Sequence, residues 1–237
     1  MMRSALLLLS LVFVSLSSPL LADGIVIDKI YHPYVQPLEQ ELEIRLLQQN
    51  NQSGIADNTR MYRLAYGRSL SDRLFIEAYL VGQGSSSESL DLQSIEMEIK
   101  WQLTEQGEYW ADWGVLAELS KGIGNNIYEA SIGLIAEKEF GHWSATTNFI
   151  IEQEWGSGID DELESVFSLQ TRYRYSQTLE PGIEFYAGQN SIGVGPVLMG
   201  QAKLAGPKKL KWEAGVIFGL DSKSPDTSVR LLFEYEF

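Results

Sequence analysis

The chain has no cysteine, two histidines, and 18 lysines and arginines against 32 aspartates and glutamates. The missing cysteine excludes a disulfide framework, a thiolate metal site, a cysteine nucleophile and lipid attachment at a processed N-terminus. A formal net charge of −14 sets the chain against nucleic acid, whose phosphates call for a basic surface. Long apolar runs are missing as well. Beyond Ala22 no stretch reaches the roughly 20 residues that a membrane helix needs, which excludes a helical membrane protein. Two isolated histidines make a poor metal site, and the acidic stretch Asp160, Asp161, Glu162, Glu164 lacks the spacing of a calcium loop. No cofactor and no metal is expected from this composition.

Residues 1–22 read as a processing signal: Arg3 supplies a short positive region, an apolar run follows from Ala5 to Val14 and on to Leu21, and Ala22 is the small residue before the expected cut. Ser15, Ser17, Ser18 and Pro19 interrupt the run, so it falls short of a spanning helix. Residues 23–37 form a separate pre-barrel segment, Asp-Gly-Ile-Val-Ile-Asp-Lys-Ile-Tyr-His-Pro-Tyr-Val-Gln-Pro, too aromatic and apolar for a free tail. Pro33 and Pro37 argue against a regular strand or helix through it. The sequence leaves two placements open, a short plug in a lumen or a strap along one rim.

Residues 38–237 repeat one pattern, about ten residues alternating apolar and polar and then a short run of Gly, Ser, Asn, Asp or Pro. Strands are predicted over 39–49, 59–69, 73–82, 91–103, 109–120, 126–138, 142–154, 163–175, 180–188, 194–204, 209–220 and 227–237, twelve in all. The segment 180–188 is the weakest because it contains Pro181 and Gly182. One face of each strand is apolar and the other charged. Val229, Leu231, Phe233, Tyr235 and Phe237 alternate with Ser228, Arg230, Glu234 and Glu236, with Leu232 as the apolar exception on the inward face, while Ile95, Met97, Ile99 and Trp101 alternate with Ser94, Glu96, Glu98 and Lys100. An outward apolar band over a polar interior is the arrangement of a transmembrane barrel and the reverse of a soluble one. The fold class is therefore all-β, an antiparallel up-and-down transmembrane barrel.

With both termini on the periplasmic side, Trp101, Trp143, Tyr173, Tyr175, Trp212, Tyr235 and Phe237 fall at one membrane interface. Tyr62, Tyr128, Phe167 and Phe218 fall at the other, giving two aromatic girdles. The links expected outside, 82–90 and 155–162, are modest, and none is long enough to plug the barrel.

The C-terminal run Phe233-Glu234-Tyr235-Glu236-Phe237, with aromatics at alternate places and a terminal Phe, resembles the insertion signal of bacterial outer-membrane barrels. The resemblance implies a Gram-negative origin and export to the cell outer membrane. It also implies recognition of Phe233, Tyr235 and Phe237 by the barrel-assembly machinery, and outer-membrane lipid and lipopolysaccharide as surroundings. By size the chain resembles small twelve-stranded barrels, a class that includes narrow channels for acidic sugars or nucleosides and an outer-membrane phospholipase.

The inward charges are the candidate selectivity residues. Arg45, Arg63 and Arg230 fall at mid-height on strands one, two and twelve, which barrel closure makes neighbours. Glu77, Glu96 and Glu98 lead an acidic wall across strands three to seven, and Arg172 with Arg174 adds a basic pair on strand eight. Opposed charged walls orient and select small hydrophilic or charged solutes. The competing expectation is that these groups pair directly and close the lumen as a structural or partner-binding barrel, since charges withdrawn from water need partners. An enzyme of this class, a lipid hydrolase, would need a Ser, a His and an orienting group near the outer leaflet. His32 precedes the first strand and His142 opens the seventh at the periplasmic end, so the sequence assigns no catalytic residue. The leading expectation is a narrow passive channel whose solute the sequence does not name.

Overall fold

The computed structural model describes residues 26–50, 58–85 and 89–237. The segment expected to be a processing signal, and part of the link after β3, lie outside them.

Twelve antiparallel strands close into a barrel: β1 (Gln40–Asn50), β2 (Thr59–Ser69), β3 (Leu74–Ser85), β4 (Asp91–Gln102), β5 (Asp112–Gly122), β6 (Ile127–Phe140), β7 (Trp143–Gly156), β8 (Glu162–Tyr173), β9 (Glu180–Ala187), β10 (Ile192–Lys203), β11 (Lys209–Gly219) and β12 (Thr227–Glu236). Each strand pairs with its neighbours in sequence, and β1 pairs with β12 to close the ring, so no edge is left to template aggregation. All-neighbour connectivity follows from the short links, because antiparallel strands need only a tight turn where parallel ones need a crossover. Gly141 (φ 65°) and Gly206 (φ 71°) supply the left-handed backbone for the β6–β7 and β10–β11 turns.

The strand faces divide as alternation requires. Met97, Ile99 and Phe233 are exposed on the outer surface, whereas Glu96, Glu98 and Glu234 are buried inside. At the end of the barrel where β1 begins and β12 ends, Trp143 packs edge-on against Tyr173 at 5.1 Å and Tyr235 stacks on Phe237 at 5.6 Å. At the other end Tyr128 stacks on Trp155 at 6.0 Å. Phe167 departs from its expected girdle place: it stands near the middle of β8, opposite Phe149.

Two segments have local explanations. β5 starts at Asp112 instead of 109, because Gly107 (φ 75°) turns the chain and donates its N–H to Asp112 Oδ1 at 2.7 Å. The weak segment does form β9, since Pro181 lies just beyond the end of its pairing with β8, which stops at Arg172–Gly182, so its missing N–H breaks no ladder bond to β8.

Candidate functional site

Residues 26–39 contain no regular secondary structure and run through the lumen, antiparallel to β1. Where β1 begins and β12 ends, the Gln36 carbonyl accepts from Ser69 Oγ at 2.5 Å, and Lys209 Nζ donates to Gln36 Oε1 at 2.9 Å. At the other end Val26 lies so close to Gly188 that a Cβ there would stand 2.5 Å from Val26 Cγ2. The reversal into β1 passes through Leu38, which is held at φ 63° and exposed. Left-handed backbone is costly for a residue with a Cβ, and Leu38 tolerates it because the turn must fold the segment back into the lumen. Of the two placements the sequence left open, the structure has the plug.

Two kinds of contact hold it. Val26, Ile27 and Ile30 are buried against Leu47, Met61, Val81, Tyr186 and Ile217, an apolar patch on the inner wall, and Tyr31 packs with Leu116 and Ile135. Burying such side chains stabilises by about 1.5–3 kcal/mol each. The expectation of a polar interior holds only in part, since the wall facing the plug is apolar where the plug is apolar. Elsewhere the segment has no regular hydrogen bonds, so side chains of the wall satisfy its backbone. Asn148 accepts the Tyr31 N–H at 2.7 Å and donates to the Tyr31 carbonyl at 2.9 Å, and Gln102 Oε1 accepts the Val35 N–H at 2.7 Å.

The three expected arginines meet on the plug. Arg45 Nη1 lies 2.5 Å from Asp28 Oδ1, and Arg63 Nη1 lies 3.4 Å from Asp28 Oδ2. Arg230 donates to the Asp28 carbonyl, to Glu184 at 2.7 Å and to Glu213 at 2.8 Å. Arg45 and Arg63 are directly opposite each other across β1 and β2, a like-charge pairing that is unfavourable unless an anion bridges it. Asp28 is that anion. Burial opposes its charge, but the Arg45 and Arg63 guanidiniums outweigh this and hold its carboxyl well below the usual range. Lys29 next to it bonds Glu43 at 2.6 Å and Glu234 at 2.8 Å; burial opposes its charge too, and these carboxylates overcome that and raise its pKa well above the usual value.

Arg172 and Arg174 sit apart from this cluster. Arg172 pairs with Glu137 at 3.3 Å and Glu180 at 3.5 Å, and Arg174 pairs with Glu139. They border a cavity of about 630 Å³ between the plug and the wall, toward the end where β1 begins and β12 ends, lined also by Lys29, Glu180, Lys211 and Glu213. Glu77 accepts from the Tyr79 hydroxyl at 2.6 Å, and Glu96 lies 3.1 Å from Arg63. Glu98, at the centre of the acidic wall, has no ion pair among the described residues.

His32 is in the plug, with Nδ1 2.6 Å from Glu137 Oε2, while Ser144 Oγ donates to the other oxygen of Glu137 at 2.7 Å. The carboxylate therefore stands between histidine and hydroxyl, an order unlike a hydrolase triad, in which the imidazole lies between the other two. His142 packs its ring against Tyr173 at 5.8 Å in the β6–β7 turn. Glu39, Glu41 and Glu236 place three carboxylates within metal-binding reach. Lys211 Nζ already pairs with Glu236 in that cluster and lies 3.8 Å from Glu39.

Sequence reasoning missed Asp28, Lys29 and the apolar inner patch. Asp28 and Lys29 carry no periodic signal. The patch does leave a trace, because Leu46-Leu47 and Val216-Ile217 are apolar doublets, and a doublet in a strand puts an apolar side chain on both faces.

No protein-family model and no curated protein matches the chain. Solved structures do. The COG4313 outer membrane channel from Pseudomonas putida F1 superposes with a TM-score of 0.60 at 14% identity, over 89% of this chain and 100% of that one. The KdgM porin, solved in complex with disordered oligogalacturonate, gives 0.55 at 12% identity over 83% and 99%. The translocator domain of the autotransporter NalP from Neisseria meningitidis gives 0.56 at 10% identity over 86% and 89%. The fold is that of the bacterial outer-membrane β-barrels of twelve strands.

Proposed function

We propose that this protein is a narrow passive channel of the outer membrane for small hydrophilic or charged solutes, with no enzymatic step, and that residues 26–37 set its aperture. The observation that carries the reading is a charged lumen, enclosed by an outward apolar band, that keeps a cavity of about 630 Å³ beside the plug. Two of the similar folds are named as a channel and a porin. Arg45, Arg63 and Arg230 with Glu77, Glu96 and Glu98 act as selectivity residues at mid-height, and Arg172 and Arg174 act at the mouth where β1 begins and β12 ends. Residues 1–22 direct export and are cleaved. Phe233, Tyr235 and Phe237 present the insertion signal to the assembly machinery, and lipopolysaccharide surrounds the outer girdle.

A second reading, a closed structural or partner-binding barrel, is favoured by the buried pairing around Asp28. Planar-bilayer recording separates the two. The channel reading expects small steps from the wild type and several-fold larger steps after deletion of residues 23–37. A silent wild type that opens on deletion supports the closed barrel, and silence from both proteins overturns the channel.

A further inference from the structure

Two rows of inward side chains run round the wall from β3 to β8. In the first, Glu77 is opposite Glu98, Glu98 opposite Glu118, Glu118 opposite Ser131, Ser131 opposite Glu152, and Glu152 opposite Glu164. In the second, Glu96 is opposite Ser120, Ser120 opposite Glu129, Glu129 opposite Glu154, and Glu154 opposite Glu162. Directly opposed positions bring Cβ atoms within about 4.5–5.5 Å, and like charges placed there repel. A fold that wanted only a polar lining would alternate signs or use hydroxyls and amides, as it does on β7 with Thr146 and Asn148.

Direct ion pairs with cations of the protein answer little of this charge. Among the described residues the one ion pair made by either row is Glu96 with Arg63, and Arg63 is shared with Asp28 of the plug. The other lumen arginines and Lys29 are engaged elsewhere. A second observation points to an outside ligand. Glu98 is 2% exposed and its Oε2 has no hydrogen-bond partner, and the same is true of Oε1 of Glu77 beside it, also 2% exposed. A buried acceptor without a donor is costly, more so when it is charged.

We propose that the two carboxylate rows are a cation-binding track, with a divalent metal ion held around Glu98 and Glu118 as its tightest occupant, and that small cations are the solutes the channel favours. The donor set is all oxygen, which suits a hard divalent ion that takes six to eight such ligands and disfavours soft metals. The last clause rests on the channel reading; the binding track does not.

The test uses the full chain refolded in detergent at neutral pH, with calcium chloride as the probe against sodium chloride of equal ionic strength. Calcium should raise the wild-type thermal midpoint by about 5 °C or more. The double variant Glu98→Gln, Glu118→Gln keeps the shape of both side chains. Without calcium it should melt higher than the wild type, since opposed charge is gone, and it should lose most of the calcium response. Asp160→Asn with Asp161→Asn, in the β7–β8 loop, should keep that response. No calcium shift in the wild type, an equal shift in the double glutamine variant, or its loss in the loop variant would each overturn the proposal. In bilayers under a salt gradient the reversal potential should report cation preference, and anion preference would overturn the assignment of solute. Silence in the bilayer with the calcium shift intact would instead sink the channel reading and leave the track standing.

Discussion

At the scale of single residues the plug turns on Asp28. It touches guanidiniums from two strands through its carboxylate and a third through its carbonyl, and so ties β1, β2 and β12 to the segment inside them. Asp28→Asn removes the charge and leaves Arg45 and Arg63 opposed with one anion fewer. Breaking a buried pair costs about 3–5 kcal/mol, and a partly solvated one costs less. The Asp28 side chain keeps 23% of its exposure, so a loss nearer 2 kcal/mol is expected. It should appear as a lower thermal midpoint and as faster labelling, by a water-soluble thiol reagent, of a cysteine placed at Ile30, which is 1% exposed in the native lumen. Unchanged labelling would mean that the apolar contacts of Val26, Ile27 and Ile30 hold the plug without Asp28. Nothing in the sequence marks this residue, one acid among 32, because its importance comes from strands brought together only by closure.

At the scale of elements the strands were legible, and the plug was legible as a segment but not in its contacts. Alternation with a period of two is imposed on every strand by the two solvents it separates, so even β9 with its proline could be placed within a residue or so. Asn148 and Gln102 look in the sequence like any inward polar side chain, yet each satisfies a backbone group of a segment more than sixty residues away in the chain. That relation is visible only once the lumen exists. The assigned faces make a strict prediction, since a slip of one residue would turn a strand over. Cysteines at Met97, Val216 and Phe233 should react with lipid-phase probes, and those at Glu96, Gly215 and Glu234 should prefer water-soluble reagents. Reversed labelling on any one strand would show its register to be wrong, whatever the neighbouring strands do, because each cross-strand pair constrains only its own side.

For the whole molecule the balance of surfaces is inverted relative to a soluble barrel. Leu42, Ile44, Leu64, Ile132 and Ile183 are all substantially exposed outside, while Glu43, Arg45, Glu184 and Arg230 are buried within. An outward apolar band about 25 Å tall is stable against hydrocarbon and unstable against water. With no edge strand to open from, unfolding must break the ring somewhere. The seam between β10 and β11 is the weakest stretch of its ladder, since the pairing passes from Val194–Phe218 to Val197–Gly215 without registered partners at Gly195 and Pro196. Cooperative closure of this kind predicts a protein that requires detergent, shows a β-rich circular dichroism spectrum, and keeps its fold in cold denaturing detergent. Unboiled and boiled samples should therefore run as two bands on a denaturing gel. Replacing Pro196 by Val restores a donor to the β10–β11 ladder and should raise the temperature at which the folded band disappears by about 2–4 °C for each kcal/mol gained. Recovery of the wild type as a monodisperse monomer without detergent would contradict the inverted surface, and with it the membrane reading of every strand.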